Sequence, residues 1–394
     1  MPDSLHSPPA GTPIQPISAG ILAAVVGFAS SVAIVLAGFT AVGASQAQAA
    51  SGLFAVTFGM GLLGIVFVVV TRAPITIVWS TPGAALLIAT GAPTGGYPVA
   101  TGAFLVAGAL IVVAGVWRPF GRAVAAIPLS LAGAMLAGIL LELCLAPVRA
   151  VEALPALTLP IVIAWAIALR FARPYAIPIA VAVTAVIVAV ATPLPPGALT
   201  DLAPHPLLIV PAFTLPALVG IAVPLFIVTM ASQNVPGLAV LAVNGYKPDV
   251  GPIFLWTGLG SVVTALFGGH SLNLAAITAA LCAGPEAHPD PARRWIASVA
   301  CGAAYVILAF GATFATAFVT ASPPLLIEAV AGLALLGSLG SALSSALARD
   351  DHRLPAIVTF VTTASGVSFF GIGAAFWGLI AGGALTAVLA MKGR

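Results

Sequence analysis

Residues 75–88 read ITIVWSTPGAALLI and set the fold of this chain. The run from Ile75 to Trp79 is β-branched and aromatic, a composition that favours an extended strand. Ser80-Thr81-Pro82-Gly83 then predicts a helix start, because a hydroxyl N-cap precedes a proline in the first turn. The stretch is thus predicted to be half strand and half helix.

Residues 267–284, FGGHSLNLAAITAALCAG, carry the same kind of interruption. Gly268-Gly269 ends the preceding helix, and Ser271 or Asn273 can cap the following one. The alternative is that Pro82 and the glycine pair simply kink two packed helices, which is common in membrane bundles.

Composition places both stretches in a membrane protein. The chain has 394 residues, of which 61% are hydrophobic and 6% charged, whereas soluble domains carry about 25% charged residues. A soluble enzyme, a nucleic-acid binder and a disordered chain are therefore excluded. Apolar runs near 20 residues predict a polytopic, all-α membrane protein.

Fourteen apolar segments are predicted, of which the third and tenth are short for a membrane span. They cover 17–40, 51–71, 75–92, 97–117, 122–144, 154–169, 174–192, 206–231, 251–267, 270–284, 294–320, 324–347, 354–370 and 372–391.

The basic residues give these segments a direction. With both termini in the cytoplasm and alternating sides, only Arg149 of the thirteen basic residues falls outside, a strong positive-inside signal. The residues placed inside are Arg72, Arg118, Arg122, Arg170, Arg173, Lys247, Arg293, Arg294, Arg349, Arg353, Lys392 and Arg394.

Fourteen segments divide into two inverted sets of seven. Ala44-Ser45-Gln46 after the first segment is echoed by Ala231-Ser232-Gln233 after the eighth, and the short third segment by the short tenth. Paired interrupted segments point to a transporter binding site. Helix N-termini facing one cavity suit an anion such as a carboxylate.

The stretches 75–87, 231–249 (ASQNVPGLAVLAVNGYKPD) and 267–284 resemble the BenE-type benzoate:proton symporters over essentially the whole chain. The chain is more distantly similar to the nucleobase–cation symporter and sulfate permease fold. That resemblance implies paired strands in segments 3 and 10, and a dimer through the gate spans.

It also implies a division into core and gate. The predicted parts are a cytoplasmic tail (1–16), a first core half (17–119), a first gate half (120–197), a second core half (198–321) and a second gate half with the C-terminal tail (322–394).

Nine residues are predicted to bind substrate, although capping or interhelical hydrogen bonding would also explain them: Trp79, Ser80, Thr81, Gly83, Gln233, Asn234, His270, Ser271 and Asn273. His270, the one histidine inside an apolar segment, is also the proton-coupling candidate. A neutral histidine bonded to backbone at the helix break is the alternative. Glu142 and Glu328 are weaker coupling candidates, since interfacial carboxylates commonly reach out to solvent.

Nucleobase relatives typically carry acidic residues in the eighth and tenth segments, whereas this chain has Ser232, Gln233, Asn234 and Asn273 there. A site without carboxylates does not repel an anion. The predicted function is proton-coupled import of benzoate or a similar aromatic carboxylate across a bacterial inner membrane. A carrier of another organic anion or a nucleobase, or an anion channel, remains an alternative.

The same residues give negative predictions. Cys144, Cys282 and Cys301 lie in apolar runs without ligand spacing, so no metal or cofactor is expected. No phosphate-binding loop motif is present, and no catalytic cluster shares a loop, so no enzyme activity is expected.

Overall fold

The computed structural model describes residues 14–117, 119, 128–191, 203–275, 277–370 and 372–391. We number its helices in chain order: α1 Gln15–Ala41, α2 Gln46–Thr71, α3 Thr81–Thr90, α4 Tyr97–Val116, α5 Leu129–Ala153, α6 Pro155–Phe171, α7 Ala176–Ala191, α8 Leu215–Val243, α9 Val250–Ala265, α10 Ile277–Ala283, α11 Trp295–Ala309, α12 Ala312–Ala321, α13 Pro324–Leu347, α14 Arg353–Ala364 and α15 Ala374–Met391. Two strands, β1 Ile77–Trp79 and β2 Leu272–Leu274, precede α3 and α10.

Within these described ranges, nine helices are long and apolar enough to cross a membrane, and four shorter helices are also apolar. The prediction of a mostly helical polytopic membrane protein is therefore confirmed. Residues 1–13 of the predicted tail (1–16) lie outside the described residues, as do residues 192–202, which include most of the polar loop 193–206 predicted to join the two sets of seven segments.

The eighth segment differs most from its predicted bounds of 206–231. Its helix begins at Leu215, where the Thr214 hydroxyl accepts a hydrogen bond from the Ala217 N–H, and it continues to Val243. Pro236 does not end it, because the turn Met230–Asn234 is a π-helix, which inserts an extra residue into the helical repeat. Gln233 and Asn234 consequently lie inside the helix and not at its end.

The eleventh segment, predicted as one helix over 294–320, is two helices, α11 and α12. The break falls at Phe310 and Gly311, whose N–H groups bond three residues back to the Ile307 and Leu308 carbonyls. Such tight closing turns end an α-helix, and α12 restarts at Ala312.

Small residues bring the helices close together, as is usual in membrane bundles. A Cβ atom on Gly61 of α2 would lie 2.6 Å from the Gly302 carbonyl oxygen of α11. A second buried cluster joins α6, α7 and α13, where Ile161, Ala180 and Leu326 are fully buried. The core that surrounds the two strands is therefore distinct from this outer group of helices.

Candidate functional site

The two strands pair with each other in the interior of the bundle. β1 and β2 are antiparallel, with Val78 opposite Asn273, and the Ser80 N–H extends the ladder by donating to the Ser271 carbonyl at 3.0 Å. The predicted strand and helix in each short segment are thus confirmed. Because the strands run in opposite directions, α3 and α10 leave the pair in opposite directions.

Ser80 holds the first turn of α3 in place. Its hydroxyl oxygen accepts from the Gly83 N–H at 3.1 Å and from the Thr229 hydroxyl at 3.0 Å. A Cβ on Gly83 would lie 2.8 Å from that oxygen, so glycine leaves room for the cap. Pro82 has no N–H, and the Gly83 N–H is already bonded to Ser80. Thr81 therefore supplies the remaining backbone N–H of this first turn of α3, together with a side-chain hydroxyl.

His270, two residues before β2, forms a hydrogen bond with the residue that caps α3. Its Nε2–H donates to the Ser80 carbonyl at 2.9 Å, and its ring contacts Phe39 edge-on at 5.4 Å between centroids. The ring is fully buried, and its Nδ1 has no hydrogen-bond partner among the described residues. Ser271 is also fully buried, and its hydroxyl likewise has no partner there.

Two asparagine side chains, Asn234 and Asn273, hydrogen-bond to the backbone of the strand pair. The Asn234 Oδ1 on α8 accepts from the Leu274 N–H at 2.9 Å. With its amide oriented to satisfy both neighbours, Asn273 donates to the Leu274 carbonyl at 2.7 Å and accepts from the Ser80 N–H at 3.0 Å. The Asn234 oxygen and the Asn273 amide are therefore engaged by the backbone of the strand pair, while the Asn234 amide nitrogen donates to the Met230 sulfur.

A cavity of about 70 Å³, here called the Trp79 cavity, lies where β1 meets α3 and where β2 leads to α10. Several water molecules would fit, since one needs roughly 10–15 Å³. Its walls come from α1, β1, α3, α8, α10 and α11, and the described residues that line it carry no charge. The lining residues are Gly27, Ser30, Ser31, Val78, Trp79, Thr81, Gln233, Ala275, Thr278 and Tyr305.

Three of the nine predicted substrate-binding residues line this cavity, namely Trp79, Thr81 and Gln233. The Gln233 side chain has no hydrogen-bond partner in the described part of the chain. The other six build the strand pair and the helix start beside the cavity: Ser80, Gly83, Asn234, His270, Ser271 and Asn273.

Trp79 contributes a ring and a donor to the cavity wall. Its Nε1–H donates to the Ser31 hydroxyl oxygen at 2.9 Å, and that hydroxyl donates to the Gly27 carbonyl at 2.8 Å. The Phe28 ring packs against the indole at 5.5 Å between centroids. The indole is thereby fixed in orientation by a hydrogen bond and by an aromatic contact.

Sequence reasoning missed four polar lining residues: Ser30, Ser31, Thr278 and Tyr305. Tyr305 is 2% exposed, and a Cβ on Gly27 would lie 2.5 Å from its hydroxyl oxygen. These residues could have been found as polar groups inside apolar segments. The Ser30-Ser31 pair lies in the first predicted segment, and Tyr305 lies in the eleventh.

The two carboxylate candidates lie away from the cavity. Glu142 is exposed and forms an ion pair with Arg149, and Glu328 is exposed near the same arginine. The described residues contain no cluster of three or more histidine, cysteine, aspartate or glutamate side chains that could hold a metal ion.

Solved structures share this architecture at low sequence identity. The transmembrane domain of a cyanobacterial bicarbonate transporter, BicA, has a TM-score of 0.58 at 16% identity, covering 95% of this chain and 99% of that one. Murine Solute Carrier 26 family member A9, an anion transporter in the inward-facing state, has a TM-score of 0.63 at 14% identity, covering 96% and 68%. The molecule is therefore a polytopic membrane protein with the transmembrane fold of these transporters.

Sequence similarity is more specific. Residues 10–388 match the family model described as BenE, benzoate membrane transport protein. The inner membrane protein YdcO of Escherichia coli (strain K12) is 40% identical over 380 residues, 96% of each chain. The benzoate membrane transport protein of Acinetobacter baylyi (strain ATCC 33305 / BD413 / ADP1) is 31% identical over 364 residues, 92% of each chain. The chain belongs to the BenE family.

Proposed function

We propose that this protein imports benzoate, or a similar small aromatic carboxylate, together with protons across a bacterial inner membrane. The observation that carries the proposal is the Trp79 cavity, an uncharged and donor-lined space at the paired strands. Membership of the BenE family and the names of the two relatives support the substrate class and the membrane.

Neutral donors suit an anion that must be released again. The hydroxyls of Thr81, Thr278 and Tyr305 and the Gln233 amide can all donate, and each hydrogen bond to a charged group contributes about 1.5–3 kcal/mol. The positive end of the α3 dipole adds to this attraction. Without a lysine or arginine in the wall, the anion is held by several moderate contacts.

The substrate ring is proposed to lie against the apolar part of the same cavity. Val78 and Ala275 line it, and the Trp79 indole offers a flat surface that is backed by Phe28. Offset or edge-on aromatic contacts contribute about 0.5–1.5 kcal/mol beyond area burial. The carboxylate would then point towards the beginnings of α3 and α10.

Transport is proposed to use fourteen segments in two inverted sets of seven. The antiparallel β1–β2 pair, with a helix after each strand, is the arrangement expected of two inverted units. In this proposal the core halves, 17–119 and 198–321, move against the gate halves, 120–197 and 322–394, to give alternating access. A homodimer through the gate halves and cytoplasmic termini remain part of the proposal.

His270 is the proposed coupling residue, through its Nδ1, which has no hydrogen-bond partner among the residues that the structure describes. Uptake should therefore respond to a pH gradient and little to voltage, because one proton with one monoanion is electroneutral. His270→Gln should abolish gradient-driven accumulation but retain exchange of internal for external benzoate, which needs no net proton movement. If accumulation persists in this variant, His270 does not carry the proton.

Purified protein in liposomes tests the substrate and the site together. We expect labelled benzoate uptake that an inward proton gradient stimulates, and a raised KM in Thr81→Val. Thr90→Val is the matched control, since Thr90 lies at the other end of α3 and its hydroxyl donates to Leu86 within the helix. Uptake that does not respond to the proton gradient would refute symport, and a benzoate current without a pH gradient would identify a channel.

A further inference from the structure

A second cavity, here called the Ser341 cavity, has a volume of about 270 Å³ and lies between the proposed core and gate. Its core wall includes Pro82 of α3 together with Ser232 and Gln233 of α8. Its gate wall is formed by α5 and by three serines of α13: Ser338, Ser341 and Ser345. None of the described residues in its walls is charged.

Gln233 joins the two cavities, because it lines both of them. Its neighbour Asn234 is fixed to β2 by the bond to the Leu274 N–H, whereas the Gln233 side chain has no such partner in the described ranges. The two cavities therefore adjoin at the Gln233 side chain.

The α13 serines form one face of the helix. Their spacings of three and four residues place them on neighbouring turns, and seven residues at 1.5 Å each extend over about 10 Å. Hydroxyls can donate hydrogen bonds to a carboxylate but bind it less tightly than a fixed cation would. A transport route requires such weak binding, because the anion must be able to leave each site. Ser345 lies two residues before the end of α13. Arg349 and Arg353 follow the helix, and the charge pattern places them on the cytoplasmic side.

We propose that the Ser341 cavity is the cytoplasmic release route for the carboxylate, with Gln233 passing the anion from the Trp79 cavity to the α13 serines. This inference rests on the proposed function and adds to it a route, a direction and the residues that form the route.

Cysteine accessibility tests the route in the full chain. Cys144, Cys282 and Cys301 are free and buried, so they are first replaced by alanine to give a background without thiols. In that background, Ser341→Cys should react with a membrane-impermeant thiol reagent from the cytoplasmic face, and saturating benzoate should slow the reaction several-fold. Ser344→Cys is the matched control, since Ser344 is exposed and does not line the cavity, and benzoate should not protect it.

Blocking the route gives an independent measurement. Ser341→Leu should lose most benzoate uptake while retaining equilibrium benzoate binding in detergent, and Ser344→Leu should keep both. Full uptake by Ser341→Leu, or Ser341→Cys labelling that benzoate does not slow in an active variant, would overturn the route. If the unaltered chain fails to bind benzoate at all, the proposed function fails first, and the route falls with it.

Discussion

Gly27→Ala tests whether the Tyr305 hydroxyl is part of the binding site. The added Cβ would lie 2.5 Å from that oxygen, and ordinary contact begins at 3.4 Å, so the hydroxyl must retreat by about 0.9 Å. A hydrogen bond of about 2.8 Å would stretch to about 3.7 Å, which is no longer a hydrogen bond. Tyr305 is nearly fully buried, so its ring has little room to swing elsewhere.

The expected loss of binding free energy follows from the charge of the proposed ligand. A hydrogen bond to a charged group contributes about 1.5–3 kcal/mol, and each 1.4 kcal/mol is a factor of about ten. We therefore expect Gly27→Ala to raise the KM for benzoate by about 10- to 150-fold in proteoliposome uptake. Tyr305→Phe, which removes the hydroxyl outright, should have a similar effect.

The double variant separates this explanation from general damage. In Tyr305→Phe the clashing oxygen is gone, so adding Gly27→Ala should change the KM little further. Thermal melting in detergent checks that each variant is folded. Additive effects of the two substitutions, or an unchanged KM in Gly27→Ala, would refute the role of the hydroxyl.

Three further substitutions probe the scaffold and the margin of the site. Ser80→Ala removes the α3 cap and should lower stability by about 0.5–2 kcal/mol and raise the KM, whereas Ser45→Ala, which removes the cap of α2, should leave the KM unchanged in uptake assays. Asn234→Ala leaves the Leu274 N–H without its partner and should cost about 1–3 kcal/mol, measured as a lower melting temperature. Glu142→Gln breaks only an exposed ion pair, which contributes about 0–1 kcal/mol, so proton-driven uptake should persist. Loss of accumulation in Glu142→Gln would make it the coupling residue instead of His270.

The local chemistry of the two short segments could be predicted because it depends on neighbours in sequence. The β-branched run before Ser80 favours a strand, and a hydroxyl followed by proline favours a helix start. The structure has a strand at Ile77–Trp79 and a helix from Thr81, with the Ser80 hydroxyl bonded to the Gly83 N–H.

The members of the cavity wall could not be predicted in the same way, because they converge from distant segments. Ser31 and Tyr305 meet Trp79 and Thr81 only after α1 and α11 have packed against the strand pair. The second of two π-helical turns in α8, Met230–Asn234, also rotates Gln233 and Asn234 relative to a regular helix. The face that each residue presents therefore cannot be read from a period of 3.6 residues.

The position of His270 determines how its protonation could affect binding of the carboxylate, which the histidine ring does not contact. The ring does not line the Trp79 cavity, but it donates to the Ser80 carbonyl, which also accepts from the Ala84 N–H at 2.8 Å. A proton on Nδ1 would make the bond to that carbonyl charge-assisted and therefore stronger. The first turn of α3, including Thr81, would then be pulled against the histidine just where the carboxylate is proposed to bind. Because coupling is reciprocal, an anion that favours this arrangement must favour the proton by the same factor. A buried histidine beside the site can in this way couple the two ligands while the cavity itself stays uncharged.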